Sequence, residues 1–246
     1  DFSGVVVEVG KKVSDFKIGD KVYGQAILLN GGSGSLAEYV AANAANTGRK
    51  PEKVNYSEAA ALPLAGVSAM QALEEHINLK RGQEILIHGG AGGIGSFAIQ
   101  FAKKLGAYVA TTVSADDREF AKQLGADKVI DYKNESFENI LHGYDAVFDT
   151  VGAETHAKSF KVLKKGGIIV SMLEKPDEEL ARQYGIKAIG QGTEVNTQRL
   201  ASLAETVDRG DIKVHIDKEF PLEQASEAFA CLEKEHSRGK VVVKIK

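Results

Sequence analysis

Glu84-Ile85-Leu86-Ile87-His88 runs directly into Gly89-Gly90-Ala91-Gly92-Gly93-Ile94-Gly95. An apolar run of strand length meets a glycine cluster, and Ser96 to Leu105 then carries apolar residues at helical spacing. Gly90, Gly92 and Gly95 satisfy G-x-G-x-x-G in the strand, turn and helix context that a dinucleotide-binding loop requires. This spacing predicts three roles: Gly90 makes the tight turn, Gly92 lets backbone N–H groups approach a pyrophosphate, and Gly95 lets helix and strand pack closely. The helix N-terminus adds partial positive charge for the anion. A tight turn without ligand is the alternative reading.

Working outward, short apolar runs alternate with amphipathic blocks, the grammar of parallel strands joined by crossover helices in a doubly wound α/β sheet. Strands are expected at 84–88, 108–113, 128–132, 145–151, 168–173 and 187–190, and helices near 93–105, 116–124, 154–163 and 177–184, with one more turn at 136–141. Residues 1–55 read differently, as strands at 4–10, 21–27 and 36–42 separated by glycine turns. Helix-prone sequence begins at Ser57, is interrupted by Pro63 and resumes over 65–76. Beyond the sixth strand come a helix at 196–209, a strand at 213–220, a helix at 222–236 and a terminal strand at 240–246. In the last helix Leu222, Ala225, Phe229 and Leu232 define one apolar face, with Cys231 just off it.

The end of the second strand bears on the choice of dinucleotide, because an NAD site presents a carboxylate to the ribose diol about 20 residues past the glycines. Thr112-Val113-Ser114 places a hydroxyl there, and Asp116 and Asp117 fit the first turn of the next helix as a capping box on Ser114. NADP(H) is therefore favoured, with Ser114, Arg118 and Tyr132 as phosphate partners. N-capping, a solvated helix position and strand packing are the respective alternatives.

Composition narrows the class. The chain has 246 residues, 43% of them apolar, and 31 basic against 34 acidic side chains give a net charge of −3. That length accommodates one large domain or two modest ones, and the charge balance does not point to nucleic acid. No run approaches about 18 apolar residues, so no membrane-spanning helix is expected. A single cysteine, Cys231, excludes an internal disulfide and a thiolate-rich zinc cluster and suggests a reducing, cytoplasmic setting. The histidines His76, His88, His142, His156, His215 and His236 show no metal-ligand spacing. There is no initiator Met and no signal-peptide pattern at Asp1-Phe2-Ser3-Gly4.

Further strings extend the pattern along the whole chain: DFSGVVVEVG (1–10), IGDKVYG (18–24), SLAEYV (35–40), EAAALPLAGVSAMQAL (58–73), GGAGGIGSFAIQFAKKLGA (89–107), FDTVG (148–152), LKKGG (163–167) and RGKVVV (238–243). In this order they resemble the medium-chain dehydrogenase/reductase superfamily, in particular its zinc-independent quinone oxidoreductase and alkenal (enone) reductase branch. The resemblance implies a GroES-like β-rich catalytic domain from residues 1–62 and 211–246, and a Rossmann domain over 63–210 with the cofactor in the cleft. It implies no metal site, since Asp1-Phe2-Ser3-Gly4 stands where zinc-dependent relatives carry Gly-His-Glu. Residue by residue it places Gly92, Gly93 and Ile94 at the pyrophosphate and Ser68 where many relatives have a cofactor-facing Thr. Val151 and Gly152 would skirt the adenosine, Ser171, Met172 and Leu173 would line the nicotinamide, and Arg238 and Lys240 would return to the cleft around Gly239.

Relatives also begin with further strands before the DFSGVVV segment, strands that supply part of the substrate wall. Without them, exposed strand edges and association are expected. The implied activity is NADPH-dependent reduction of a quinone or of the C=C bond of an α,β-unsaturated carbonyl, by a homodimer acting on a small molecule. Enolate charge grows on the carbonyl oxygen during such a reduction, so a donor aimed there lowers the barrier. Tyr23 is the candidate, ahead of Lys21, with packing as its alternative role. A non-catalytic NADPH-binding protein on the same fold is the competing functional class.

Overall fold

The computed structural model describes residues 1–245, so Lys246 of the expected terminal strand lies outside the described residues. Two units emerge: Asp1–Val67 joined by the segment from Thr193 onward, and Ser68–Gly192. The chain begins with β1 (Phe2–Val5) antiparallel to β2 (Lys21–Gly24), which pairs in turn with β3 (Thr47–Arg49). α1 (Tyr56–Ala60) starts at a capping box in which Asn55 accepts from Glu58 N–H and Glu58 accepts from Asn55 N–H. α2 (Pro63–Met70) opens on proline, which is tolerated in a first turn that has no intrahelical N–H bond to lose, and continues as a wider helical turn over Gln71–His76.

The second unit alternates β4 (Glu84–His88), α3 (Gly93–Lys104), β5 (Tyr108–Val113), α4 (Arg118–Gln123), β6 (Lys128–Asp131), α5 (Phe137–Ile140), β7 (Tyr144–Asp149), α6 (Ala153–Ser159), β8 (Leu163–Ser171), α7 (Glu178–Tyr184) and β9 (Lys187–Gly190). All six strands are parallel in the order β6-β5-β4-β7-β8-β9. Strand order therefore reverses between β4 and β7, and the crevice beyond their carboxyl ends is where ligands bind in open sheets of this kind. Ile85, Leu86, Ile87, Val109, Ala110, Val147, Phe148, Ile169 and Val170 are fully buried, which is why these strands read as continuous apolar runs. Past the sheet follow α8 (Thr197–Arg209), β10 (Ile216–Pro221), α9 (Ala225–Lys234) and β11 (Lys240–Lys244), with β10 and β11 parallel.

Several expectations need correction. Residues 36–42 form no strand, and the third strand of that sheet is β3 instead. Pairing of the first strand ends early, leaving Val7 and Val9 exposed. β8 begins five residues before its predicted start because the strand incorporates the left-handed Gly166, and its register against β7 shifts between Tyr144 and Ala146.

The helix α8 belongs with the β-rich unit. Thr197 hydroxyl donates to carbonyls at Ala44, Ala45 and Thr47, and a Cβ on Gly48 would lie 2.8 Å from Leu200 Cβ. On α9 the apolar face is rotated from its predicted position. Ala228 and Cys231 are the buried residues, whereas Phe229 and Leu232 are exposed. Small side chains let this helix sit close on β10 and β11.

Candidate active site

The glycine loop divides its labour differently from the spacing rule. Gly89 holds the left-handed conformation at φ +70°, so the turn belongs to Gly89 rather than Gly90. A Cβ on Gly90 would sit 2.1 Å from Thr111 Oγ1, and one on Gly95 would sit 2.1 Å from the Gly89 carbonyl oxygen. Gly90 thus lets the loop lie against β5, and Gly95 lets α3 lie against the loop. Gly92 is the N-cap of α3 and brings no capping side chain, so the first-turn N–H groups of a twelve-residue helix, which have no intrahelical acceptor, stay available to an anion. Gly92, Gly93 and Ile94 are half-buried at this mouth.

At the carboxyl ends of β5 and β6 stand the three residues expected at a ribose phosphate. Ser114 N-caps the turn Ala115–Asp117 without a side-chain capping bond, so the capping box is not formed. Its hydroxyl donates instead to Asp117 Oδ2 at 2.7 Å. Arg118 donates to the carboxylate of Glu135, whose Oε2 also accepts from Asp131 N–H at 3.0 Å. Tyr132 is exposed, with the Lys133 ammonium 5.9 Å from its ring centroid.

At the ends of β7 and β8 lies a buried polar network that the sequence reading did not assign. Asp149 is fully buried. Its Oδ1 accepts from Val151 N–H and Gly152 N–H, both at 2.9 Å, and its Oδ2 from His156 Nδ1 at 2.9 Å and Ser171 hydroxyl at 3.1 Å. Burial alone would raise this carboxyl's pKa, but the bonds from His156 and the two backbone N–H groups outweigh it and hold the value down to about 2. Ser171 Oγ accepts in turn from Leu173 N–H and Glu174 N–H. One carboxylate therefore fixes both loops that flank the crevice.

Val151 and Leu173 project at the exposed rim, Met172 is half-buried, and the Ser171 hydroxyl is turned inward into this network. Gly152 at φ +78° is followed by Ala153 at φ +53°, whose N–H donates to Glu174 Oε1 at 2.6 Å. A non-glycine residue in that region stores strain of the kind found at binding sites. His88, at the end of β4, bonds Thr112 Oγ1 through Nδ1 and Ser159 Oγ through Nε2, both at 2.9 Å, and burial lowers its pKa to about 4.

Ser68 is fully buried, and its carbonyl accepts from Gln191 Nε2 at 3.0 Å, while Gln191 N–H donates to the Ser171 carbonyl at 2.8 Å. Gln191 Oε1 is buried without a hydrogen-bond partner, and so is His156 Nε2. Gln191 follows directly on β9, and its position at a strand's carboxyl end was the signal that could have found it. Asp149 stands within FDTVG, where a buried acid at a strand end was the available clue.

Four residues expected at the site, Tyr23, Lys21, Arg238 and Lys240, lie in the other unit. Tyr23 is completely buried and its hydroxyl donates to the Leu200 carbonyl at 2.6 Å, with burial pushing its pKa well above the usual phenol value. A hydroxyl committed to a backbone carbonyl in the core cannot approach a substrate, so Tyr23 is corrected from proton donor to packing residue. Lys21 is exposed. Arg238 precedes the left-handed Gly239 at the turn into β11, where a Cβ would meet the His215 carbonyl oxygen at 2.4 Å, and burial lowers the pKa of Lys240. Among the described residues no three His, Cys, Asp or Glu side chains gather in a way that could hold a metal ion.

Comparison with known proteins accords with this geometry. Residues 1–52 match the alcohol dehydrogenase GroES-like domain, and residues 124–243 match a family described as zinc-binding dehydrogenase. The chain is 38% identical to 2-methylene-furan-3-one reductase of Solanum lycopersicum and 37% identical to the NADPH-dependent alkenal/one oxidoreductase, chloroplastic, of Arabidopsis thaliana. Each alignment covers 99% of this chain and 62% of the relative, so the chain spans somewhat under two thirds of their length. The solved structure of the quinone oxidoreductase from Coxiella burnetii superposes with a TM-score of 0.89 at 36% identity, over 100% of this chain and 78% of that one. Fold and sequence kinship agree: the chain belongs to the medium-chain dehydrogenase/reductase superfamily, with quinone and alkenal oxidoreductases among its relatives.

Proposed function

We propose that this chain serves an oxidoreductase that binds NADP(H) and reduces quinones or the C=C bond of α,β-unsaturated carbonyls without zinc. The observation that carries the reading is the side-chain-free N-terminus of α3, set over Gly89–Gly95 at the β4/β7 switch point. The donor set fits the dinucleotide: uncapped helix N–H groups for the pyrophosphate, Arg118 with Ser114 and Tyr132 at the ends of β5 and β6 for a ribose phosphate, and an unspent buried acceptor in Gln191 Oε1. Kinship with an enzyme whose name states NADPH dependence supports the same cofactor.

When bound, the nicotinamide supplies the two reducing electrons as hydride. The residues of this chain bind and orient. α3 holds the diphosphate, Asp149 keeps the Val151–Gly152 and Leu173–Glu174 backbones in register, and the apolar rim of Ile94, Val151, Met172 and Leu173 excludes water. No residue of the second unit is assigned as proton donor, so protonation is left to solvent or to the acceptor's own surroundings. We place the protein in a reducing compartment, acting on a small molecule as a homodimer. No helix among the described residues is long and apolar enough to cross a membrane.

The test is titration with NADPH and NADH, followed by a panel of enones and quinones with deuterium-labelled NADPH. Deuterium at the β-carbon of a reduced enone, or turnover of a quinone, is the expected result. Tight NADPH binding with no turnover on any acceptor would favour the non-catalytic reading, and no binding of either nucleotide would overturn both.

A further inference from the structure

The geometry points to Glu135 as a specificity-determining residue: its carboxylate competes with the 2′-phosphate of NADPH for Arg118 and so limits how far the chain prefers NADPH over NADH. The inference rests on the nucleotide reading given above.

Arg118 begins α4 just past the end of β5, the position at which a dinucleotide fold tells a ribose diol from a ribose phosphate. Its guanidinium is already engaged by Glu135. That carboxylate is not a loose surface charge. Residues 131–135 form a tight turn in which the Asp131 carbonyl accepts from Asn134 N–H at 3.0 Å and Glu135 N–H at 2.8 Å, while Glu135 Oε2 accepts from Asp131 N–H. The Asp131 side chain is held within the same turn by Asn134 Nδ2 at 2.7 Å and Lys133 N–H at 3.1 Å. Glu135 is thus fixed on the strand-end side of Arg118 before any nucleotide arrives.

The second phosphate candidate is held in the same way, since Ser114 hydroxyl donates to Asp117. Two of the three groups expected to bind the phosphate are therefore partnered by carboxylates in the protein itself. A 2′-phosphate dianion must either take Arg118 from Glu135 or share its fork of donors while lying beside a like charge, and both routes cost affinity. NADH, with a neutral 2′-hydroxyl, meets no such repulsion.

Glu135→Gln removes the charge and keeps an acceptor for Asp131 N–H. NADPH affinity should rise by about twofold to fivefold, a size suited to an exposed ion pair, with NADH affinity unchanged. The gain should shrink as salt is raised. In an Arg118→Ala background the same substitution should shift the NADPH to NADH ratio much less, because the contested cation is gone and only direct repulsion of the phosphate is left.

The measurement is fluorescence titration of both nucleotides against wild type, Glu135→Gln, Arg118→Ala and the double variant, at low and high salt, with unfolding midpoints as controls. Should the glutamine variant not fold, Glu135→Ala carries the same expectation. Equal changes for both nucleotides, no change for either, or an effect just as large without Arg118 would overturn the inference while leaving NADP(H) binding intact. Failure of wild type to bind NADPH would remove the nucleotide reading and this inference together.

Discussion

Asp149 ties more of the site together than any residue the motif reading named. Its carboxylate takes two backbone N–H groups, an imidazole and a hydroxyl, all while fully buried. Asp149→Asn would set an amide N–H against one of those donors, and breaking a buried, fully bonded charge typically costs about 3–5 kcal/mol. Denaturant unfolding should show a loss of that order, and NADPH titration of the folded variant should show weaker binding as the Val151–Gly152 backbone relaxes. Wild-type affinity would sink the positioning role.

Acid stability follows from the same residues. The pKa of His88, lowered by burial to about 4 from an ordinary 6.5, lies below its unfolded value, so the unfolded chain binds more protons and stability falls as pH drops from about 6.5 to 4. The whole window is worth about 3 kcal/mol. Asp149, held near 2, contributes stability that is complete above its unfolded value near 3.8 and is lost as pH falls from there through 2. Unfolding free energy measured between pH 7 and 4 should therefore decline in wild type and decline less in His88→Gln, and parallel curves would refute the assignment to His88. Neither residue was legible in the sequence, because burial and partner geometry decide their role. The glycine loop between β4 and α3 was legible, because backbone spacing alone places it.

Among the elements, those of the Rossmann unit were the most readable. Strands buried on both faces must be apolar throughout, and glycine loops mark where each crossover begins. The failures have physical causes. Residues 36–42 carry apolar side chains at strand spacing but find no ladder, and Leu36 and Tyr39 end up exposed. On α9 periodicity located an apolar face, yet Ala228 and Cys231 permit closer packing than Phe229 and Leu232, so the helix buries the smaller pair. Helix α8, expected within residues 63–210, packs instead on partners far away in sequence, Gly48 and the Tyr23 hydroxyl.

The packing of α3 yields a sharper expectation. Gly95→Ala would bring a methyl group to within 2.1 Å of the Gly89 carbonyl oxygen, backbone that can yield only if the loop moves. Overpacking of this sort costs about 1–3 kcal/mol, and the displaced loop should lose nucleotide affinity as well. Gly143→Ala, a glycine with open space around it but φ +78°, is the comparison: some strain and loss of stability, with nucleotide affinity retained. Equal affinity for NADPH in the two variants would show that the α3 approach does not set the site.

For the molecule as a whole, the informative surface lies on the β-rich unit. A groove of about 1550 Å³ is lined there by Val5, Val7, Val9, Tyr39 and Val243 among others, and Leu28 and Leu29 are 77% and 93% exposed on one short helical turn. Contiguous exposed apolar surface, unlike apolar residues scattered singly, marks interaction sites. A net charge of only −3 offers little long-range repulsion between copies. Self-association is therefore the expected solution behaviour, and it is the physical content of the homodimer proposal. Sedimentation velocity over a broad concentration range should show a reversible species larger than the monomer, and Leu28→Ser with Leu29→Ser should shift that equilibrium toward monomer without lowering NADPH affinity. Since Gly92 and Arg118 belong to the other unit, loss of nucleotide binding in the same double variant would mean that these leucines support the fold rather than an interface. A strictly monomeric wild type would sink the dimer directly.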